Sequence, residues 1–246
     1  MKLISLNVEG YRHLSTTTEL FRAEQADVIC VQECGPWTIQ ILTELGYTTE
    51  FLPQCYKHDD EENVYEEGVL LASRLPVTFE TFYYYEPTDE LQLFVHGNAR
   101  DTYKQGCILG TVIQEHTTYH ILSNHFTWTP VGNRPNAAQV ADMESFLHLT
   151  KDLPPHVACG DFNIPRNESH LYKRLAAQYT DTIPATYPSS LDKNLHRVGN
   201  DPEKEELFTK YMVDYLFTQP PYKAESVRLE FGISDHAAVI GDVYKA

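Results

Sequence analysis

KLISLNVEGYRHLSTTTELFRAEQADVICVQE, residues 2–33, sets the architecture. KLISLNV at 2–8 is a short apolar run that polar Asn7 and then Glu9 bring to an end, which predicts a strand. A helix is expected over about 15–26, and DVICVQE at 27–33 returns as a second buried strand ending in an acid. Pro36 stands where a first helical turn begins. WTIQILTELG then carries Trp37, Ile41, Leu42 and Leu45 at helical spacing before Gly46 stops it. Strand, helix, strand, helix is the opening of an α/β fold.

Further along, helices give way to strands. YTTEFLPQCY, GVLLASRLPV, TFETFYYY, QLFVHG, CILGTVIQE and TTYHILSNHF read as successive strands, with HTT at 116–118 as a tight hairpin connection. KHDDEENVYEE at 57–67 is an acidic insertion, most simply a solvated loop. A helix is expected at about 136–149, where Val140, Met143, Phe146 and Leu147 share one side. HVACG at 156–160 is a short core strand and LYKRLAAQY a helix. SLDKNLHRVGNDPEKEE is a long polar loop of the kind that serves a site. YMVDYLFT, YKAESVRLEF and HAAVIGDVY close the chain as three strands. Two packed sheets with helices outside, in one domain over 1–246, account for this order. No Gly/Ser/Pro linker, low-complexity tract or fixed-period repeat interrupts it.

A domain of 246 residues buries roughly 70 to 75 per cent of its unfolded surface, so neither disulfide nor structural metal is needed to hold it together. The 16 Tyr and 11 Phe fit aromatic-rich strands. Cys30, Cys34, Cys55, Cys107 and Cys159 are odd in number, lie mostly in apolar runs and form no C-x-x-C pair, which reads as buried thiols in a reducing compartment. The amino-terminal stretch is too polar for a signal or membrane-spanning segment, so the cytoplasm is the expected location and a membrane is not an expected partner. The formal net charge of −16 repels long polyanions; with six acids set aside for a site, 29 acidic residues still face 19 basic ones. A chain that coats long DNA is thereby disfavoured, whereas a local patch or bound metal still admits a nucleic-acid substrate.

The chemistry sits where polar residues interrupt apolar strands. Asn7 and Glu9 follow the first strand, Glu33 ends the second, and Asn124-His125 end TTYHILSNHF. CGDFNIP places Asp161 and Asn163 two apart after a core strand. YMVDYLF places Asp214 within an apolar run, and ISDHAAVIGDV places Asp235-His236 at the mouth of the last strand. One acid at a strand end is ordinarily just solvated, but seven such places in one chain call for a common cause, since buried charge is costly unless paired or bound to metal. Carboxylate and amide oxygens without a Cys/His cluster suit Mg2+ or Mn2+. Histidines beside aspartates suit proton transfer or transition-state stabilisation.

With SLNVEG, VQE, SNHF, GDFN, VDY and SDH in this order, the chain resembles the endonuclease/exonuclease/phosphatase superfamily of metal-dependent phosphoesterases over essentially its whole length. The resemblance implies a four-layer α/β/β/α sandwich of two packed mixed sheets flanked by helices. It also implies hydrolysis of a phosphodiester or phosphomonoester by in-line attack of water, with Mg2+ as cofactor, Mn2+ substituting, and one or two ions. It makes Glu33 the principal metal ligand, with Asn7 and Asp235 beside it. Glu9, where some relatives carry an acid, is a candidate for a second ion or its water. Asp161 orients the attacking water or accepts its proton, and Asn163 steadies phosphoryl oxygens. His236 acts as base or electrostatic clamp with Asp214 fixing its tautomer, while His125 contacts the phosphate from the other side. By position rather than motif, Glu67 matches the acid that pairs with this second histidine, and Arg100 a phosphate-binding arginine.

After His125, the stretch HFTWTPVGNRPNAAQ offers Trp128 as a stacking platform for a base or as a cap on the sandwich rim, and Arg134 and Asn136 as substrate contacts. Tyr187, with Thr186, sits where many members carry a Thr–Trp pair near the leaving group. The chain is close to the minimal family core. That and the acidic surface favour a small or short-ended substrate, such as a nucleotide, an oligonucleotide end or a phosphorylated metabolite. A DNA-repair-type endonuclease or exonuclease is the rival enzyme, and would need positive potential around Arg100, Arg134 and His196. A catalytically silent binding protein is the rival of another class, but Glu33, Asp161, Asn163, Asp235 and His236 are all retained.

Overall fold

The opening strands bury both faces: Leu3, Val28 and Cys30 enter one apolar cluster and Ile4, Ile29 and Val31 another, none of them exposed. Continuous Val/Ile/Leu runs of this kind belong to strands covered on both sides. The structure is a computed structural model and describes residues 1–129, 134–166 and 168–246. Among the described residues the strands are β1 (Lys2–Asn7), β2 (Val28–Cys34), β3 (Thr48–His58), β4 (Val64–Ser73), β5 (Val77–Tyr85), β6 (Gln105–Gln114), β7 (Thr117–His125), β8 (Val157–Asp161), β9 (Thr180–Asp181), β10 (Asp214–Thr218), β11 (Tyr222–Glu230) and β12 (Ala238–Lys245). The helices are α1 (Leu14–Glu24), α2 (Pro36–Glu44), α3 (Ala99–Thr102), α4 (Ala137–Lys151), α5 (His170–Ala176) and α6 (Leu207–Lys210).

Two six-stranded sheets form, ordered β11-β12-β1-β2-β4-β3 and β5-β6-β7-β8-β10-β9. Each holds one parallel pair at its centre, β1–β2 and β7–β8, with antiparallel neighbours on both sides. Leu3, Val28, Cys30 and Leu71 of the first sheet join Ile108, Ile121 and Cys159 of the second in one core. The Ser123 hydroxyl donates to the Leu70 carbonyl across the sheets at 3.1 Å. Leu20, Phe21 and Leu42 of α1 and α2 cover the outer face of the first sheet. Met143, Phe146, Leu171 and Leu175 of α4 and α5 pack with the second. The architecture is the four-layer α/β/β/α sandwich.

Two expected elements differ. QLFVHG is not a strand: Leu93 makes a single parallel bridge to Tyr56, and the chain then turns through Gly97 into α3. The acidic stretch 57–67 is largely not a loop. Lys57 and His58 extend β3, Val64–Glu67 open β4, and a five-residue turn capped by Asp59 joins them. Cross-strand pairing keeps this hairpin together despite its charge, because the charged residues outside the pairing face solvent.

The topology gathers strand ends. The carboxyl ends of β1, β2, β7 and β8 and the amino ends of β10 and β12 open on the same edge of the sandwich, which is where ligands bind in sheets that carry parallel strands.

Candidate active site

Register brings the polar residues together. His125 lies opposite Asp161 in the β7–β8 ladder, and Asp161 lies opposite Asp214 in the β8–β10 ladder. Gly160 sits at φ +140°, and a Cβ there would fall 1.8 Å from the Asn124 carbonyl oxygen, so glycine alone lets β8 approach β7 just before Asp161. Three site residues other than glycine adopt the left-handed region: Glu9 (φ 49°), Glu33 (φ 50°) and Asn163 (φ 51°). The β2–β4 register shifts between Val31 and Cys34, so Glu33 leaves the ladder at a bulge that re-aims its side chain. Left-handed side chains of this kind store strain at functional sites.

Asn7, fully buried, ties the two sheets. Its amide donates to Glu33 Oε1 at 3.1 Å and Asp161 Oδ2 at 3.2 Å, while its Oδ1 accepts from the Glu9 amide at 3.2 Å. His236 Nδ1 meets Asp214 Oδ2 at 2.8 Å, and its Nε2 points to Asp161 Oδ2 at 3.9 Å. Burial disfavours the imidazolium, but Asp214, Asp235 and Asp161 together raise the His236 pKa well above the ordinary value. The Asp161 carboxyl moves up to about 8, because it is buried and faces Asp214, against the pull of His236. His125 Nε2 stands 3.8 Å from both Glu33 Oε1 and Asp161 Oδ2. Burial takes His125 down to about 4, so it is neutral at pH 7. Its Nδ1 meets the Tyr103 hydroxyl at 3.2 Å, and that hydroxyl donates to Gln54 Oε1 at 3.0 Å.

Several expected placements take another form. Glu67 does not pair with His125. It is buried beside Lys57, whose Nζ lies 2.5 Å from Glu67 Oε1 and 3.5 Å from Glu33 Oε2, and Tyr103 takes the place at the histidine. The cause is the β3–β4 ladder, in which Cys55 faces Glu67 and puts Lys57 on the diagonal. Burial pushes Glu67 up to about 7 despite Lys57. Lys57 stays charged, since Glu67 and Glu33 outweigh the effect of burial. Arg100 is turned away to Asp142 on α4, at 2.5 Å, and stacks over the Tyr85 ring. Asn163 Nδ2 donates to the Phe126 carbonyl at 2.9 Å and faces His125 Nε2 at 3.2 Å. Asn136 caps α4, its side chain accepting from Gln139 N. Tyr187 is half-buried against the core, Arg134 is exposed, and Trp128 is 41% exposed with its ring 5.0 Å from that of His96.

Sequence reasoning missed Lys57, Tyr103, Ser190 and Gln139. Ser190, wholly buried, donates to Asp214 Oδ2 at 2.6 Å and accepts from the amides of Val213 and Asp214 at 3.1 Å. Gln139 donates to the carbonyls of Thr127 and Asn163 at 2.8 and 3.1 Å. None of the four stands in a motif. Only the polar loop containing Ser190 carried a hint, through its length.

The donor set fits a hard divalent cation. Ligand atoms of Glu9, His13 and Asp235 lie within 4.8 Å of one another, and Asp235 Oδ1 accepts the Ser234 hydroxyl at 3.1 Å. Burial takes Asp235 up to about 6 against the pull of His236, and Glu9 and Glu33 reinforce the rise, so a cation bound here would favour its carboxylate form.

The endonuclease/exonuclease/phosphatase family model matches residues 4–236, a span that takes in every acid and histidine of this mouth. The chain belongs to that family. Members of the endonuclease/exonuclease/phosphatase family are generally hydrolases of phosphoester bonds and generally depend on a divalent metal. No curated protein sequence matches the chain. Among solved structures, it is similar to an endonuclease/exonuclease/phosphatase from Beutenbergia cavernae (16% identity, TM-score 0.73, covering 100% of this chain and 72% of that one). It is also similar to the human Nocturnin catalytic domain with bound sulfate (17%, TM-score 0.70, covering 100% and 93%). A third is D. rerio TDP2 in complex with single-strand DNA product (15%, TM-score 0.69, covering 100% and 99%). At these identities the likeness is one of fold. Among the described residues, no helix is long and apolar enough to cross a membrane.

Proposed function

We propose that this family member is a Mg2+-dependent phosphoesterase, with Mn2+ able to substitute, acting on a small or short-ended phosphate ester. The observation that carries the reading is the Asp161 carboxylate standing between two histidines, 3.8 Å from His125 Nε2 and 3.9 Å from His236 Nε2, with Asp214 bonded behind the latter. A metal ion held by Glu33, Asp235, Glu9 and the Asn7 amide would neutralise phosphate charge and make water easier to deprotonate. In its ionised form, which the facing His236 imidazolium favours, Asp161 is placed to take the proton of the attacking water. His236, held as imidazolium by Asp214, clamps the phosphoryl oxygens and supplies a proton to the leaving oxygen. His125 and Asn163 form the opposite wall. The water oxygen bonds to phosphorus as the ester P–O bond breaks in line, without a covalent enzyme intermediate.

The substrate reading draws on what the positive groups do. Arg100 is committed to Asp142, and burial pushes His196 down to about 4, so two of the three groups that a DNA-binding patch would need are not free cations. Trp128 and His96 form an aromatic rim three residues from His125, which suits one base of a nucleotide or oligonucleotide end.

Hydrolysis by purified protein with Mg2+, Mn2+ or EDTA tests this, across nucleotides, 5'- and 3'-blocked oligonucleotides, abasic and supercoiled DNA, short RNA, inositol phosphates and sphingomyelin. Metal-dependent turnover is expected, with Asp161→Asn reducing it by about 10²–10⁴-fold. Turnover that persists in EDTA, or in Asp161→Asn, would overturn the mechanism.

A further inference from the structure

Lys57 is the basic side chain that reaches deepest among these acids, and it lies outside every motif. Its ammonium sits between two carboxylates, 2.5 Å from Glu67 Oε1 and 3.5 Å from Glu33 Oε2, with the Phe94 ring 5.3 Å away. Glu67 is 1% exposed, and Glu33, where the β2–β4 pairing is interrupted, turns to the same space. Two carboxylates converging from adjacent strands are what a hard divalent ion bridges, at about 2.0–2.6 Å from each oxygen. Here that place is taken by a covalently attached cation.

We infer that Lys57 is a resident substitute for a second metal ion, and limits the site to one divalent cation on the Asn7, Glu9 and Asp235 side of Glu33. The inference rests on the metal-dependent reading above.

The geometry gives three reasons. The Lys57 Nζ occupies the approach between Glu33 Oε2 and Glu67 Oε1, so an ion bridging them would have to expel it. Expulsion would leave an ammonium with no other carboxylate partner in the described structure, beside an apolar ring. On the other side of Glu33, Oε1 accepts the Asn7 amide and faces His125 Nε2 at 3.8 Å, while Glu9, His13 and Asp235 bring ligand atoms within 4.8 Å of one another. The place between Glu33 and Glu67 is thus filled by the chain itself, which leaves the Glu9, His13 and Asp235 group for an ion.

Mn2+ titration of the full chain, followed by calorimetry and by electron paramagnetic resonance of the free ion, counts the sites without any substrate. One ion per chain is expected for the wild type, two for Lys57→Gln, and one again for the Lys57→Gln/Glu67→Gln double variant. Two ions on the wild type, or one on a folded Lys57→Gln protein, overturn the role of Lys57 and leave the metal-dependent reading intact. No ion on the wild type overturns both. The wild-type count needs no variant to fold.

Discussion

Ser190 shows how much of the proposed Asp214–His236 dyad lies behind it. Its hydroxyl is bonded on three sides, to the Asp214 carboxylate and to two backbone amides, and so fixes the carboxylate that holds His236. Ser190→Ala is expected to lower kcat by about 10–100-fold with little change in KM, since it disturbs orientation rather than binding. Ser190→Thr should restore part of the loss, and steady-state kinetics with circular dichroism will separate this from unfolding. Residue-scale legibility followed chemistry. Asp161, Asp214, Asp235 and His236 were visible because a charge inside or at the end of an apolar strand is costly and therefore conspicuous. Lys57 was hidden because it stands in an acidic stretch that reads as solvated, and only the diagonal across the β3–β4 ladder shows that it points at Glu33. Tyr103 was hidden among 16 tyrosines.

At the scale of elements, β8 begins beside a histidine with no place in the chemistry. His156 is wholly buried, its Nδ1 donating to the Pro154 carbonyl and its Nε2 accepting from the Tyr179 hydroxyl, each at 2.8 Å. Burial lowers its pKa in the folded chain. Above its unfolded value of about 6.5 neither state binds the proton, so its protonation costs no stability there. As the pH falls below that value the unfolded chain takes the proton first, and stability is lost by up to about 1.4 kcal/mol per pH unit. His156→Gln should flatten that slope between pH 7 and 5 in urea unfolding; an unchanged slope would count against it. Elements were legible where apolar patterning was strong, as in α2, α4 and the strands β1, β2, β7 and β8. QLFVHG misled because an apolar run of strand length can equally line a loop, and Leu93 and Val95 are indeed exposed.

The whole molecule presents the candidate site on an acidic body. With a net charge of −16, an anionic substrate of the proposed kind would approach against a repulsive field, which salt screens. kcat/KM for a short oligonucleotide is therefore expected to rise as ionic strength increases from about 0.01 to 0.15 M, where the Debye length shortens from roughly 30 to 8 Å. A cationic nuclease would do the opposite, and a falling rate in stopped-flow or steady-state measurements would point to a local basic groove instead. The sandwich itself could be read from strand count and opening order. Its convergence on one mouth could not, because that depends on which ends of β10 and β12 meet the parallel pairs.

The left-handed conformations of Glu9, Glu33 and Asn163 bear on how this protein responds to laboratory selection. Each holds a side chain at a backbone angle that glycine adopts freely, at a cost of about 1–3 kcal/mol for other residues. A library sorted only for thermal tolerance should enrich glycine at these three positions, and every such winner should be a better scaffold and a poorer catalyst. With the roles proposed for these residues, robustness and turnover would be opposed at identifiable codons, so a sorting scheme for this chain has to score both at once.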